Sequence, residues 1–214
     1  KYLKAKAFAL GHEGSLPWYD LFAPMGKSEG TYTVEDAKAY LLSIFAKFDP
    51  ELHDMVKGAF ENAWIDFYPR DGKVGGAFDC GVPSAKESRV LTNFDGSFSD
   101  IVTLAHELGH AMHSYFSSNE QDYVNHDYRI MVAEVASTVN EVLLTKYLLK
   151  TETDKKRRAY ILNNFLESFR TTIFRQTLFA EFERIAHDMY MQGTPLTAKT
   201  LSEAYQKLNE LYYE

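Results

Sequence analysis

The sequence has almost no cysteine and no long apolar run. Only Cys80 occurs among the 214 residues, so an internal disulfide is impossible and a disulfide-stapled secreted scaffold is excluded. No apolar stretch approaches the roughly 18–20 residues that a membrane-spanning helix needs. No basic-then-apolar secretory signal opens the chain. These absences predict a protein of a reducing, cytoplasmic compartment that has no membrane partner.

Positive charge is also scarce. Lys and Arg number 23 against 30 Asp and Glu, which gives a net charge of −7 and a pI of about 5.5. Phosphate binding requires a basic patch, so nucleic acid is not expected as the main partner. Apolar residues make up 45% of the chain, including 15 Phe and 14 Tyr. That content predicts a folded globular protein rather than a disordered one.

The apolar spacing predicts a mainly helical fold. Residues 1–30 contain several glycines and prolines and are predicted to form loops and irregular structure. Thr33 and Asp36 then resemble a capping box. Ser97 or Ser99 is expected to cap a later helix, with Asp100 in its first turn. The predicted helices are Val34–Phe48, Pro50–Trp64, about Asp100–Phe116, about Arg129–Lys150, Asp154–Gln192 and Thr197–Tyr213.

A small sheet is predicted between the second and third helices. Three short runs of β-forming residues lie there among glycines and prolines, and Asp71-Gly72 is a hairpin signal. We expect two to four short antiparallel strands beside the third helix. The runs are Ile65–Tyr68, Ala77–Cys80 and Arg89–Thr92.

The segment His106-Glu107-Leu108-Gly109-His110 has the H-E-x-x-H spacing. Residues four apart lie one helical turn apart on the same face, so both imidazoles can reach one zinc ion. Glu107 lies beside them and can take the proton of a metal-bound water as that water attacks a carbonyl. Gly109 is interpreted as leaving space beside the second histidine. The alternative is a chance match on an amphipathic helix.

A catalytic zinc needs a third protein ligand. His113 follows on the same helix but is a poor third corner, and Phe116 stands where the metzincin pattern requires histidine. Glu134 lies among apolar residues on the next helix, and an antiparallel return of that helix would carry it back to the two histidines. Glu134 is therefore the predicted third ligand, although a place on the solvated face is the alternative.

Three further residues are candidates for the shell around the ligands. Glu141 lies two turns after Glu134 and can hold a histidine by its other ring nitrogen. His113 can act in the same shell or only pack. Asp100 is a weaker candidate, and a capping or surface role fits each of these residues about as well.

The motifs together resemble a known family. His106–Tyr115 and Val132–Glu141, supported by Gly75–Phe78 and Val90–Asn93 upstream, closely resemble the oligoendopeptidase F group of the M3 metallopeptidases. Relatives of that group include thimet oligopeptidase and neurolysin. The resemblance implies a helical zincin-like catalytic domain that hydrolyses internal bonds of short peptides. It extends over most of the chain.

The resemblance also implies roles for single residues. One zinc ion would be bound by His106, His110 and Glu134, with Glu107 as the general base. A bound peptide would lie along the edge of the small sheet, so that Gly76, Ala77 and Phe78 would bind substrate by strand addition. A hairpin that only packs is the alternative for that segment.

The sequence departs from the family pattern in two ways. Full-length members have a large N-terminal helical region, and they carry a downstream His- and Tyr-rich segment that stabilises the oxyanion. Neither is recognised here, and Tyr205, Tyr212 and Tyr213 are poor substitutes. Residues 1–214 are therefore expected to be a catalytic-domain fragment whose partners include the other segments of the enzyme.

Two hypotheses from other classes stay open. One is a zinc-binding domain without turnover, and the other is a helical interaction module that binds no metal. Glu107 favours the enzyme, because a structural zinc site has no use for a free carboxylate and usually closes with a fourth protein ligand.

Overall fold

The computed structural model describes residues 1–25 and 31–213. The predicted class, mainly helical with a small sheet, is confirmed. No helix within the described ranges is both long and apolar enough to cross a membrane. The helices are α1 (Tyr2–Ala9), α2 (Val34–Phe48), α3 (Pro50–Glu61), α4 (Phe98–Glu120), α5 (Ile130–Thr151), α6 (Lys155–Phe169), α7 (Arg175–Met191) and α8 (Ala198–Tyr213), and the strands are β1 (Ile65–Asp66), β2 (Phe78–Val82) and β3 (Glu87–Leu91).

The chain divides into two units. The metal-motif unit is Ser28–Glu152 and the terminal unit combines Lys1–Lys27 with Thr153–Glu214. The metal-motif unit contains α2 to α5 and the sheet. Its buried core is aliphatic and aromatic, as the helical spacing predicts. Members of that core are Leu41, Ile44, Phe45, Val56, Ile101, Leu104 and Leu108.

Capping boxes start two of the helices in the metal-motif unit. The Thr33 hydroxyl accepts the Asp36 backbone N–H while the Asp36 carboxylate accepts the Thr33 N–H. Ser97 and Asp100 make the same pair of bonds at the start of α4. Each cap satisfies backbone donors that no helical carbonyl can reach, and such a cap typically contributes about 1 kcal/mol.

The predicted antiparallel sheet is wrong in part. The strand order is β1-β3-β2, with β1 parallel to β3 and β2 antiparallel to β3. The hairpin therefore joins β2 to β3, and Asp71-Gly72 turns between two strands that are not neighbours. A local turn signal cannot reveal this strand order, because it does not show with which distant strand the next strand will pair.

Several helix limits also differ from the prediction. Tyr2–Ala9 forms α1 inside the stretch read as irregular, because its breakers begin only at Gly11. Residues 26–30 of that stretch lie outside the described residues. The helix α4 runs to Glu120, and the single helix predicted for Asp154–Gln192 has a π-helical turn at Arg170–Phe174.

Close packing of α4 on α5 depends on Gly109. A Cβ added to Gly109 would lie 2.7 Å from Ser137 Cα and 2.8 Å from the Ala136 carbonyl oxygen. Real Cβ atoms do not approach backbone so closely. The expected space beside His110 is therefore occupied, and Gly109 instead lets the two helix backbones approach each other.

Candidate metal centre

Two helices bring the predicted ligands together. His106 and His110 project from α4 and Glu134 projects from α5. The His106 Nε2 lies 3.1 Å from the His110 Nε2. The Glu134 Oε2 lies 3.6 Å from the His106 Nε2 and 3.8 Å from the His110 Nε2. Because α5 runs back antiparallel to α4, the three donor atoms lie close to one point.

These spacings suit a tetrahedral zinc site. Donors at about 2.0–2.1 Å from zinc stand about 3.3–3.4 Å apart at the corners of a tetrahedron. The three observed separations, from 3.1 to 3.8 Å, bracket that value. Two imidazoles and one carboxylate are also a ligand set that catalytic zinc uses. Within the described ranges, His106, His110 and Glu134 form the group that could hold a metal ion.

Residues of α5 hold two of the three side chains in place. Glu141 Oε1 contacts the His106 Nδ1, which leaves the Nε2 of that ring facing the other donors. The Ser137 hydroxyl donates to Glu134 Oε2 at 2.9 Å. Burial lowers the pKa of His106, but the Glu141 contact and the nearby Glu107 and Glu134 outweigh it and raise that pKa. Burial lowers the pKa of His110, and the His106 charge lowers it further.

Glu107 is a buried carboxylate beside the three donors. Only 5% of the residue is exposed, and its Oε2 has no hydrogen-bond partner among the described residues. Burial raises the pKa of Glu107 to about 7. The charge of His106 works against this rise in pKa, and the carboxylates of Asp79 and Glu134 add to it. Such an atom is costly to bury without a partner, so packing alone does not account for its place beside the three donors.

The remaining candidates of the outer shell lie elsewhere. The His113 ring stacks on Tyr128, with centroids 3.7 Å apart, and its buried Nδ1 finds no hydrogen-bond partner among residues 1–25 and 31–213. The Asp100 carboxylate accepts the backbone N–H groups of Asp95 and Gly96. Asp100 therefore caps α4 and does not hold a histidine.

The predicted peptide-binding segment lies partly at the site. Ala77 and Phe78 line a cavity of about 510 Å³ with the three donors and Glu107. Gly76 does not line that cavity. It has a φ of +83°, which favours glycine, and its carbonyl accepts from the Asn93 side chain at 2.8 Å. The lone Cys80 of β2 is exposed.

Among the polar residues of the same cavity that the sequence does not single out, three are linked by hydrogen bonds. Asp79 on β2 accepts from Ser114 of α4 at 2.9 Å, and Ser114 contacts the Tyr128 hydroxyl at 2.6 Å. The one local signal was the alternation of β2, which places Asp79 and Gly81 on the face opposite Phe78. Contact between that face and α4 cannot be deduced from the strand alone.

Similarity to known proteins agrees with this geometry. The sequence pattern of peptidase family M3 matches residues 31–214. The chain is 43% identical over 196 residues to oligopeptidase PepF of Bacillus subtilis, covering 91% of this chain and 29% of that protein. It is 40% identical over 195 residues to the chromosomal oligoendopeptidase F of Lactococcus lactis subsp. cremoris, covering 91% and 32%. The chain thus spans about a third of the length of these relatives.

Solved structures show the same relationship. The crystal structure of oligoendopeptidase-F from Enterococcus faecium aligns with a TM-score of 0.62 at 32% identity, covering 100% of this chain and 30% of that one. PZ peptidase A in complex with an inhibitor aligns with a TM-score of 0.81 at 18% identity, covering 99% and 37%, and this second likeness concerns the fold alone. The family match over residues 31–214 and the shared fold show that the chain belongs to peptidase family M3.

Proposed function

We propose that the chain provides the metal centre of a zinc-dependent endopeptidase that hydrolyses internal bonds of short peptides. The observation that carries the proposal is the placement of Glu107, whose Oε2 has no hydrogen-bond partner among the described residues, in one cavity with the converging donors of His106, His110 and Glu134. The names of the relatives point to the same activity. Zinc held by those donors would polarise a water molecule and the scissile carbonyl.

The residues of the chain have distinct tasks in this proposal. Glu107 takes a proton from the attacking water and returns it to the amine nitrogen of the leaving group. Glu141 orients the His106 ring through its Nδ1, and Ser137 orients Glu134. These contacts fix the donor atoms before a metal or a substrate arrives, which limits the reorganisation needed during the reaction.

The peptide is proposed to add as a strand to β2. Among the described strands β2 pairs with β3 alone, so its other edge can offer backbone N–H and C=O groups. Ala77 and Phe78 stand where that edge meets the cavity. Backbone pairing of this kind binds an extended peptide with little dependence on its sequence. Because the chain spans about a third of the length of its relatives, we propose that other segments of a full-length enzyme complete substrate binding.

A zinc-binding domain without turnover is the competing proposal. A closed structural site usually has a fourth protein ligand. In the part of the chain that the structure describes, three candidate ligands converge, and the carboxylate of Glu107 stands beside them. This arrangement favours the peptidase. The lone Cys80 and the acidic composition are compatible with a reducing cytoplasmic compartment and with peptides, rather than nucleic acid, as partners.

The decisive experiment separates zinc binding from turnover. In the natural protein that carries this sequence, Glu107→Gln should retain one equivalent of zinc and lose at least about a hundredfold of its cleavage of a quenched fluorescent peptide, because a positioned acid–base group contributes about 10²–10⁴-fold. Glu120→Gln, at the exposed end of the same helix, is the matched control and should behave like wild type. Full cleavage by Glu107→Gln would contradict the proposed base.

A further inference from the structure

A chain of hydrogen bonds links the edge strand to Tyr128, another residue that lines the cavity. The two oxygens of Asp79 on β2 accept from the hydroxyls of Ser88 on β3 and Ser114 on α4. Ser114 in turn contacts the Tyr128 hydroxyl at 2.6 Å. Gly81 permits this approach of β2 to α4, because a Cβ there would lie 3.2 Å from Ser114 Cβ. The strands β2 and β3, the helix α4 and the loop that carries Tyr128 are thus linked through Asp79 and Ser114.

The donor directions along this chain follow from the single proton of Ser114. A hydroxyl has a single proton to donate, and Ser114 donates its proton to Asp79 Oδ2. Ser114 can therefore only accept from Tyr128, so the phenolic proton of Tyr128 points toward Ser114. Burial raises the pKa of Asp79, and the hydrogen bonds from Ser88, Ser114 and the Cys80 backbone offset that rise only in part. Those donors stabilise the ionised carboxylate that this direction requires.

Tyr128 consequently presents an acceptor to the cavity. Its ring is fixed by the parallel stack on His113, and it lines the same cavity as Glu107 and Glu134. A phenolic oxygen that has donated its proton still has lone pairs to accept another hydrogen bond. No Lys or Arg side chain lines this cavity among the described residues, whereas four carboxylates do. The surroundings therefore favour an N–H group as the bound partner.

We propose that Tyr128 is a peptide-positioning residue whose phenolic oxygen accepts a hydrogen bond from an N–H group of the peptide on β2. Asp79, acting through Ser114, is the positioning residue that sets the direction of that hydroxyl. This inference rests on the proposed peptidase function and adds to it a contact from the loop that carries Tyr128. It predicts that Tyr128 contributes to binding of the peptide more than to the chemical step.

Steady-state kinetics of the natural protein test this role. Tyr128→Phe should raise KM for a quenched fluorescent peptide about threefold to tenfold, the range for one neutral hydrogen bond, with kcat within about twofold and zinc content unchanged. Ser114→Ala should raise KM in the same direction, since the Tyr128 hydroxyl loses the acceptor that orients it. Tyr123→Phe, an exposed tyrosine of the same loop, is the matched control and should change neither constant.

The outcomes separate this inference from the proposed function. If wild type cleaves peptides and Tyr128→Phe has an unchanged KM, the inference alone is overturned. A fall in kcat at constant KM also overturns it, because Tyr128 would then act on the reacting carbonyl. If wild type binds zinc but cleaves no peptide, both proposals fail. A raised KM in Tyr128→Phe and Ser114→Ala, with the Tyr123→Phe control at wild-type values, supports the inference.

Discussion

At the scale of single residues, Glu134 and Glu141 differ in how they act on the proposed metal. Glu134 offers a donor atom next to the Nε2 atoms of the two imidazoles, whereas Glu141 contacts only the Nδ1 of His106. A residue that holds a ligand typically contributes a factor of about 10–100 to metal affinity. Loss of the Glu134 donor atom should therefore weaken zinc binding more than loss of the Glu141 contact that holds His106.

This difference gives a ranked prediction. Zinc affinity should fall about tenfold to a hundredfold in Glu141→Gln and further in Glu134→Ala, as measured by competition titration against a chelator. Glu120→Gln should keep the wild-type affinity. If Glu134→Ala holds zinc as tightly as wild type does, then Glu134 is not the third ligand. If Glu141→Gln is unchanged, its contact with His106 is not needed to orient the ring.

Single residues also mark the limit of prediction from sequence. The proximity of His106, Glu107 and His110 could be predicted from spacing, because three to four residues correspond to one helical turn. Ser114 and Tyr128 could not, since their partners come from β2 and from a loop. Ser114 looks like any small helical residue until the packing of β2 brings the Asp79 carboxylate to it.

At the scale of secondary-structure elements, the candidate metal site depends on the distance between α4 and α5. Gly109 sets that distance, with the α5 backbone where its side chain would be. The same glycine lies one residue before His110 and opposite Ser137, which orients Glu134. A displacement of α5 would therefore move Glu134 away from the histidines.

Alanine at two helical glycines tests this dependence. Gly109→Ala should lower the free energy of unfolding by about 1–3 kcal/mol, because it overpacks a close helix contact, and should weaken zinc binding. Gly58→Ala in α3 is the matched control. Its Cβ would meet only Asn62 Nδ2 at 3.9 Å, and alanine should stabilise that helix by up to about 1 kcal/mol. Urea unfolding and zinc titration measure both effects, and equal stability changes in the two variants would contradict the role given to Gly109.

At the scale of the whole molecule, the terminal unit is assembled from both ends of the sequence. Glu167 of α6 joins them, because its Oε1 accepts from Lys6 at 2.8 Å and from Tyr2 at 2.6 Å. Lys6 is only 1% exposed. Burial alone would raise the pKa of Glu167, but the hydrogen bonds from Lys6, Tyr2 and Arg170 outweigh it and lower the pKa.

A carboxyl group whose pKa is lower in the folded than in the unfolded protein stabilises the fold at pH values above its unfolded pKa. The stability contributed by Glu167 should therefore be fully present above about pH 4.5, its ordinary pKa, and lost as pH falls through the lower folded value. Glu167→Gln should cost about 1.5–3 kcal/mol at neutral pH, the range for hydrogen bonds to a charged group. It should also flatten the loss of stability in acid. Urea unfolding between pH 3 and pH 7, about the window set by these pKa values, measures both.

An exposed glutamate provides the control for that experiment. Glu183→Gln on α7 removes the same charge from an exposed position and should leave the free energy of unfolding within about 0.5 kcal/mol of wild type. If Glu167→Gln shows the same neutral-pH stability and the same acid dependence as Glu183→Gln, the carboxylate of Glu167 does not stabilise the terminal unit.

The sequence by itself determined the features that rest on local chemistry. Helical period, capping boxes and the H-E-x-x-H spacing act within a few residues, so α2, α4 and α5 and the order of the metal-site residues could be predicted. Only the tertiary structure decided the parallel pairing of β1 with β3, the contact of Gly109 with α5 and the hydrogen-bond chain from Asp79 to Tyr128. These depend on which distant surfaces meet, and that is set by packing of the whole core rather than by any single segment.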